Sequence, residues 1–370
     1  MRKRVAAVVG TRPEAIKLGV VVEALHAEPW AEVAVVGTGQ HGAVVDDVLA
    51  LFGAAVDRRV ALGAPDGLTG LASGLLGGLG AEFAAHRPDL VLVQGDTTSA
   101  LAGALAAYLA GVPVAHVEAG LRSYDALPFP EEANRRMIAP LAALHLAPTP
   151  RAAENLLAER IPAEQVVVTG NTVIDALFRM GGGTPRERPL VVVTAHRRES
   201  WGEPLRRVAR VVTRLARTYP DIDLLVATHM NPAVREIFEQ ETYGLPTIEC
   251  APPMPYQQFV RTLTTASLVI TDSGGVQEEA ASLRLPLLIM RETTERGEAL
   301  HSASTHLVGT DEELIFKSAA AVLDVARPGR TARTPRPCVF GDGKAADRTV
   351  RACGWLLGMR ERPAEFHPME

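Results

Sequence analysis

The sequence predicts an α/β protein with two doubly wound, parallel-sheet domains. Short runs of Val, Leu and Ile recur along the 370 residues, each followed by a Gly/Asp/Ser/Thr turn and a stretch with helical spacing. The runs are continuously apolar, as in strands that are buried on both faces of a parallel sheet. The length also suits two domains that each bury a core of their own.

The predicted strands fall into two series. The first series comprises residues 4–9, 32–37, 90–94, 114–117 and 166–169, and the second comprises 190–194, 223–227, 268–271 and 285–290. Residues 174–189 contain three successive glycines and a proline, which is typical of a surface linker. We therefore expect a first domain over 1–173 and a second over 174–344, with a last helix near 345–357.

Composition excludes several classes of protein. Lys and Arg number 38 against 43 Asp and Glu, for a net charge of −5, and a surface that tracks nucleic acid needs an excess of basic residues. Cys250, Cys338 and Cys353 are widely separated, so neither a disulfide framework nor a zinc site is expected. The apolar stretch 97–117 is interrupted by Gly and Pro, which favours a helix, a turn and a strand over a membrane span.

Polar residues follow the first strand, at the sheet edge where parallel α/β proteins bind ligands. Thr11 and Glu14 have capping-box spacing, and Pro13 suits the first turn of a helix. Arg12 and Lys17 lie around that helix N-terminus, where an anion is attracted by free N–H groups. From spacing alone, two solvated surface cations explain this pair equally well.

Three carboxylates come at or after later strand ends. Asp96 follows the third apolar run, Glu118 follows the fourth, and Glu131 opens a group that also holds Asn134 and Arg135. If the three carboxylates converge, mutual repulsion raises the pKa of at least one toward a value useful for proton transfer. The alternatives are a helix N-cap for Asp96 and a loop ion pair for the group around Glu131.

The second half carries a different set of polar residues. His196 follows a strand beside two arginines, and a structural role and anion contact are both open. In the stretch 271–279, Gly274 and Gly275 let backbone N–H groups approach a phosphate at a helix start. Glu278 and Glu279, one turn further, would meet ribose hydroxyls. The pattern is neither G-x-G-x-x-G nor a Walker A loop, which disfavours nicotinamide cofactors and ATP but allows a sugar nucleotide.

Arg291 and Arg296 follow the last strand predicted in this half. A pyrophosphate partner and a solvated loop are comparable explanations for these two cations.

Taken together and in order, these motifs resemble those of the non-hydrolysing bacterial UDP-N-acetylglucosamine 2-epimerases. The resemblance extends over about residues 5–357. The motifs that carry it are 10–17, 38–41, 95–98, 117–122, 130–135, 170–175, 196–199, 272–275 and 293–296.

The resemblance implies two Rossmann-like domains in the glycosyltransferase-B arrangement, with the active site between them and residues 345–370 packing back on the first domain. It implies reversible epimerisation at C2 of UDP-N-acetylglucosamine, giving UDP-N-acetylmannosamine. UDP is eliminated to leave a 2-acetamidoglucal and is then added back, and no metal or other cofactor is needed. A cytoplasmic homodimer is the usual form of the family.

The resemblance also implies roles for residues that match the family's motifs. Asp96, Glu118 and Glu131 become the candidate acid–base groups, and His196 is placed near the diphosphate. The implied substrate-binding residues are Arg12 and Lys17 for the sugar and diphosphate, Ser273, Gly274 and Gly275 for phosphate, Glu279 for ribose, Met254 and Phe259 for uracil, and Arg296 for the nucleotide.

One departure concerns regulation. Many family members bind a second UDP-N-acetylglucosamine as an allosteric activator, and Gln40 and His41 match part of that site. Asp66 or Gly67 stands where the family has a Gln, so we expect a weakened or absent activator site. The alternative functions are a hydrolysing 2-epimerase, which releases N-acetylmannosamine and UDP, a glycosyltransferase on the same architecture, and an inactive nucleotide-sugar sensor.

Overall fold

Two parallel β-sheets of seven and six strands organise the chain, and this confirms the predicted fold class. The computed structural model describes residues 2–63, 66–126, 128–195, 201–228, 232–325 and 332–368. It divides into one unit of Met1–Ala176 with Pro337–Glu370 and a second unit of Leu177–Arg336.

The first unit holds a sheet in the order β3-β2-β1-β4-β5-β6-β7. Its strands are β1 Lys3–Val9, β2 Ala31–Gly37, β3 Arg58–Arg59, β4 Leu90–Gln94, β5 Val114–Val117, β6 Leu144–Ala147 and β7 Val166–Val168. Its helices are α1 Arg12–His26, α2 Ala43–Ala50, α3 Gly67–His86, α4 Thr98–Leu109, α5 Glu131–Ile138, α6 Pro150–Ala158, α7 Thr172–Met180, which continues into the second unit, and α13 Ala345–Leu356.

The second unit holds a sheet in the order β10-β9-β8-β11-β12-β13. Its strands are β8 Leu190–Thr194, β9 Asp223–Ala227, β10 Ile248–Ala251, β11 Leu268–Thr271, β12 Leu287–Ile289 and β13 Thr305–Leu307. Its helices are α8 Glu203–Thr218, α9 Pro232–Glu241, α10 Tyr256–Thr265, α11 Gly274–Ser282 and α12 Glu312–Leu323.

Strand order reverses once in each sheet, between β1 and β4 in the first and between β8 and β11 in the second. Ligands of doubly wound proteins bind at this switch point, where the loops after the two strands diverge. All five residues of β4 and all five of β8 are buried, and burying one such aliphatic side chain contributes about 1.5–3 kcal/mol. The apolar strands therefore hold both switch points in rigid cores.

Four strands were missed by the sequence pattern: β3, β6, β10 and β13. Strand β3 has two residues, β6 is interrupted by His145, and β10 and β13 carry the exposed Glu249 and His306. None of these four makes the continuous apolar run on which the prediction relied. The expected linker over 174–189 is also partly wrong, because α7 continues to Met180.

The last helix belongs to the first unit. Helix α13 packs against α1, and its N-terminal N–H groups at Ala345 and Ala346 donate to the Asp175 carboxylate at 3.1 and 2.8 Å. Burial, together with the nearby charge of Asp342, raises the pKa of Asp175 to about 6. Asp175, a residue of α7, thus anchors the N-terminus of α13 to α7.

Among the described residues, α3 is the one helix long and apolar enough to cross a membrane by length and composition. Its Leu71, Leu75, Leu79 and Phe83 recur every fourth residue and are buried in the core of the first unit. A single helix of this kind is weak evidence for a membrane span, because helices that pack on protein cores meet the same criterion.

Candidate active site

The loops that follow β1 and β4 are joined by the buried carboxylate of Glu14. Its Oε2 accepts the N–H groups of Gly10 and Thr11 at 2.8 and 2.6 Å, and its Oε1 accepts the Thr97 hydroxyl at 2.6 Å. Burial raises the pKa of Glu14, although these hydrogen bonds oppose the rise. Glu14 therefore does more than the helix capping expected of it, because it holds two strand-end loops together at the switch point.

Gly10 allows these loops to approach closely. A Cβ atom on Gly10 would lie 2.2 Å from Ser99 Oγ, so a larger residue would push the loops apart. The Ser99 hydroxyl donates to Gln40 Oε1 at 2.8 Å, and the Arg12 N–H donates to His41 Nδ1 at 3.3 Å. Gln40 and His41, the candidate activator residues, thus contact the loops of the switch point.

Asp96 is not a helix N-cap, so that alternative is wrong. Thr97 caps α4, with its hydroxyl accepting the Ala100 N–H at 3.0 Å. The Asp96 carboxylate pairs instead with the buried guanidinium of Arg135, and the Asn134 amide donates to the Asp96 carbonyl at 2.8 Å. About a quarter of the Asp96 side chain stays exposed, since its relative accessibility is 27%. It is therefore a charged group held in place but within reach of solvent.

Helix α5 supplies the partners of Asp96. Arg135 Nη2 lies 2.7 Å from Glu132 Oε2, so the ion pair expected in this group is present, on a helix rather than a loop. Burial alone would raise the pKa of Glu132, but hydrogen bonds from Ser123 and Arg135 hold it below its ordinary value. Glu131 is the first residue of α5 and half-buried, one turn before Arg135 and on the same side of the helix.

Glu118 is held by donors from three separate parts of the first unit, namely α1, β4 and the loop before α7. Its Oε1 lies 2.5 Å from Lys17 Nζ and accepts the Asn171 amide at 3.0 Å, and its Oε2 accepts the Gln94 amide. Lys17 and Glu118 are both buried, which makes the solvated-cation explanation wrong for Lys17. An ammonium ion and two amide donors stabilise the ionised form of a carboxylate.

Glu118 lies beside the turn that carries Asp96. A Cβ atom on Gly95 would lie 3.5 Å from Glu118 Oε2, and Asp96 is the next residue along the chain. Glu118 itself adopts a φ of +65°, a left-handed conformation that is uncommon outside glycine and is often found at functional sites. Glu118 thus lies beside the turn that carries Asp96, and Glu131 begins the helix that carries Arg135, the partner of Asp96.

Gln94, Asn171 and His116 were not among the expected site residues. Two features of the sequence could have indicated a site role: Gln94 is a polar residue at the end of a buried strand, and Asn171 lies in the motif 170–175. The buried His116 ring donates through Nε2 to the Gly95 carbonyl at 2.7 Å and so orients the turn before Asp96. Burial lowers the pKa of His116 to about 3, so the ring is neutral.

In the second unit, Gly274 and Gly275 begin α11 shortly after the end of β11, at the switch point of the sheet. Arg296 lies against this turn, because a Cβ atom on Gly274 would meet its Nη1 at 2.4 Å. Arg296 is buried and donates to Glu278 Oε1 at 2.7 Å, so the solvated-loop explanation is wrong for this residue. Ser273 lies directly before the helix, and its N–H donates to the Thr271 hydroxyl at 2.9 Å.

The other residues expected to bind the nucleotide lie on α10, just before it, or on α11. Phe259 is buried on this helix, and the half-buried Met254 precedes it. Glu279 is buried on α11 and accepts the Tyr256 hydroxyl at 2.9 Å. His196, the expected diphosphate residue, lies outside the described residues. Within the part of the chain that the structure describes, no three His, Cys, Asp or Glu side chains are grouped to hold a metal ion.

Comparison with known proteins identifies the family. Residues 23–354 match the family model for UDP-N-acetylglucosamine 2-epimerase. The chain is 39% identical over 369 residues to the UDP-N-acetylglucosamine 2-epimerase of Yersinia pestis, which covers 94% of this chain and 98% of that one. The chain belongs to the UDP-N-acetylglucosamine 2-epimerase family. The Escherichia coli enzyme of this name is also 39% identical, with the same coverage.

Solved structures of this epimerase family match almost the whole chain. The Neisseria meningitidis UDP-GlcNAc 2-epimerase, bound to UDP-GlcNAc, is 34% identical with a TM-score of 0.87 and covers 95% of this chain and 99% of that one. The S. aureus MnaA–UDP structure is 37% identical with a TM-score of 0.91, covering 99% and 100%. A spinosyn rhamnosyltransferase, 18% identical with a TM-score of 0.55, shares only the fold, so epimerases and a glycosyltransferase have this architecture in common.

Proposed function

We propose that this protein interconverts UDP-N-acetylglucosamine and UDP-N-acetylmannosamine by eliminating and re-adding UDP. The C2 hydrogen of an N-acetylhexosamine is not acidified by a carbonyl or an imine, so direct removal is difficult. Cleavage of the anomeric C–O bond expels UDP and leaves an oxocarbenium-like C1, which acidifies that hydrogen. Loss of the proton gives 2-acetamidoglucal. UDP then adds to C1 while C2 is protonated from the opposite face.

The observation that carries this proposal is that the Glu118 carboxylate lies beside Gly95, in the turn that carries Asp96. Inversion at C2 needs two proton-transfer groups, and two carboxylates in different environments are suited to different protonation roles. Glu118 is buried and paired with Lys17, which favours its ionised form. Asp96 is more exposed and paired with Arg135. Asp96 is accordingly the first candidate for proton exchange with C2, with Glu118 and Glu131 as the other acid–base candidates.

The second unit supplies the residues proposed to hold UDP. The N–H groups of Gly274 and Gly275 and the Ser273 hydroxyl are suited to phosphate, because a helix N-terminus attracts anions. Arg296 lies beside this turn, where its guanidinium, which is also paired with Glu278, would donate to the nucleotide, and preorganised donors of this kind stabilise a departing diphosphate. Glu279 would accept the ribose hydroxyls.

Other residues are proposed to contact the remaining parts of the UDP-sugar. Met254 and Phe259 would contact uracil, Arg12 and Lys17 the sugar and diphosphate, and His196 the departing diphosphate. Two relatives were solved with such ligands, the N. meningitidis enzyme with UDP-GlcNAc and the S. aureus protein with UDP.

The test is incubation of the purified protein with UDP-N-acetylglucosamine in deuterated water, followed by proton NMR. Both epimers of the nucleotide sugar should form, each with deuterium at C2, because the proton lost on elimination exchanges with solvent. Asp96→Asn serves as the control for enzyme-catalysed exchange. Absence of exchange by the wild-type protein would reject the substrate assignment.

The same spectra separate the rival functions. A hydrolysing 2-epimerase would accumulate free N-acetylmannosamine and UDP, because water captures the intermediate. A glycosyltransferase would leave UDP-N-acetylglucosamine unchanged without an acceptor.

The resemblance supports three further proposals. A homodimer is expected and is tested by light scattering on the eluting protein. A cytoplasmic location stays a prediction. Because Asp66 or Gly67 stands where the family has a Gln, we expect weak or absent activation by UDP-N-acetylglucosamine. The reaction that starts from UDP-N-acetylmannosamine should then show hyperbolic kinetics, and added UDP-N-acetylglucosamine should not stimulate it.

A further inference from the structure

Gln277 holds the backbone of the turn that begins α11. It is fully buried on this helix, and its amide Nε2 donates to the Ser273 carbonyl at 3.3 Å. The N–H group of Ser273 donates at 2.9 Å to the hydroxyl of Thr271, a residue that is also fully buried. Both backbone polar groups of the residue before Gly274 are therefore held by side chains from the interior of the second unit.

The same amide reaches the loop that follows β12. The Thr294 hydroxyl donates to Gln277 Oε1 at 2.8 Å, and the Arg296 N–H group donates to the Thr294 hydroxyl oxygen at 3.2 Å. The guanidinium of Arg296 in turn lies against Gly274. Thr294 thus connects the backbone of Arg296 to the amide that holds Ser273.

The donors and acceptors of this chain of hydrogen bonds are consistent in direction. A hydroxyl group that accepts a backbone N–H keeps its own hydrogen to donate, and the Gln277 side-chain oxygen accepts it. The amide then presents its NH₂ group to the Ser273 carbonyl, which can only accept. Rotating the amide by half a turn would set two acceptors against each other at Ser273. One orientation of Gln277 therefore satisfies both of its neighbours, and hydrogen bonds in such a chain strengthen one another.

The chain of hydrogen bonds joins groups that the proposed function assigns to the phosphates. Gly274 and Gly275 would offer backbone N–H groups, and Arg296 would offer its guanidinium. These donors can act on one ligand together only when the turn and the loop are correctly spaced. Because ordering a loop during binding costs free energy, fixing the turn and the loop to each other in advance favours binding. Donors held in this way are also preorganised for a departing diphosphate.

We propose that Thr294 and Gln277 are positioning residues that align the turn at the start of α11 with Arg296 for the diphosphate of the ligand. The inference rests on the proposed function, since it takes the ligand to be a uridine diphosphate. Neither side chain touches the ligand in this proposal. They act through the backbone of Ser273 and Arg296, so their loss should weaken phosphate binding and leave the contacts to the nucleoside intact.

The experiment compares binding of UDP and of uridine, which lacks the diphosphate, in the wild-type protein and in Thr294→Val. Calorimetry measures UDP affinity, and competition with UDP measures uridine affinity. Valine keeps the shape of the side chain and removes the hydroxyl group, so UDP affinity should fall by about tenfold, the effect of breaking a buried hydrogen bond. Uridine affinity should change little. Thr294→Ser restores the hydroxyl group and should recover most of the UDP affinity.

Thr213→Val is the matched control. The Thr213 hydroxyl donates to the Glu241 carbonyl at 2.8 Å and joins α8 to the end of α9, so this variant removes a similar hydrogen bond between other elements of the same unit. It should keep the wild-type ratio of UDP affinity to uridine affinity. Equal weakening of both ligands by Thr294→Val would indicate a general loosening of the unit and would overturn the proposal. A Thr294→Ser variant that binds UDP as weakly as Thr294→Val would overturn it as well.

A second variant covers failure of Thr294→Val to fold, which thermal unfolding would reveal. Gln277→Glu keeps an acceptor for Thr294 but sets a carboxylate oxygen against the Ser273 carbonyl, so it should also lose UDP affinity relative to uridine. A wild-type protein that binds UDP more tightly than uridine, with an unchanged ratio in the variants, would refute the roles of Thr294 and Gln277 alone. A wild-type protein that binds UDP no more tightly than uridine would refute the proposed function and this inference with it.

Discussion

Lys17 and Glu118 form an ion pair in the interior of the first unit, with Nζ 2.5 Å from Oε1 and side chains only 6% and 5% exposed. The pair joins the helix after β1 to the residue after β5, across the switch point of the sheet. Moving either charge out of water is costly, and the pairing, with the amides of Gln94 and Asn171, offsets that cost. The ion pair therefore makes a charged carboxylate available in a buried place, next to the turn that carries Asp96.

Lys17→Met should destabilise the first unit strongly, because Glu118 would keep a buried charge without its counterion. Removal of one partner of such a pair costs about 3–5 kcal/mol of unfolding free energy, measured by urea denaturation. Adding Glu118→Gln should restore part of this loss. Lys3→Met is the control, since Lys3 pairs with Asp89 at 3.6 Å with both side chains about one-third exposed, and should cost under about 1 kcal/mol. Equal losses in the two variants would contradict the role of burial.

Asp96→Asn should lower kcat by about two to four orders of magnitude, the usual contribution of a general acid or base. UDP affinity should stay largely intact, because Asp96 is not one of the residues proposed to hold UDP, most of which belong to the second unit. Rate assays with the nucleotide sugar and calorimetry with UDP measure the two quantities. The exposed Asp221 provides a control, and Asp221→Asn should behave as wild type. Unchanged turnover in Asp96→Asn would remove Asp96 from the mechanism.

Gly120→Ala and Gly77→Ala should change stability in opposite directions. Gly120 has a φ of +89°, and a Cβ atom there would lie 2.1 Å from the Ala152 carbonyl oxygen, so alanine should cost more than about 1 kcal/mol. Gly77 lies inside α3 with no atom within 4 Å of the same position. Alanine at Gly77 should add about 1 kcal/mol through helix propensity. Thermal and urea unfolding compare the two, and a stable Gly120→Ala would show that the turn can rearrange.

The contribution of Asp175 to stability should depend on pH between about 4 and 6. Its pKa is raised by burial from 3.8 to about 6, so the folded protein binds the proton more tightly than the unfolded chain does. The resulting stability is complete below pH 4 and is lost as the pH rises through 6. Urea denaturation at several pH values should therefore show wild type losing stability relative to Asp175→Asn across this range. A constant difference would mean that the pKa is not raised.

Long apolar strands and helix starts could be predicted because they depend on neighbours in the chain. Strands β4, β5, β8, β9 and β11 have the predicted bounds, and Glu14 caps α1 as its spacing indicated. The two-residue strand β3 and the strands β10 and β13, which carry exposed polar residues, could not be predicted, because such short segments are recognisable as strands only through their neighbours in the sheet.

The fold class, the strand-end positions of Asp96, Glu118 and Gly274, and the family could be predicted from the amino-acid sequence alone, because each depends on local periodicity or on the order of short motifs. The groups that surround each carboxylate became known only from the folded structure. Lys17 meets Glu118 across 101 residues, and Asn171 meets it across 53. Such contacts depend on how the strands are ordered in the sheet, and no spacing along the chain encodes that distance in space.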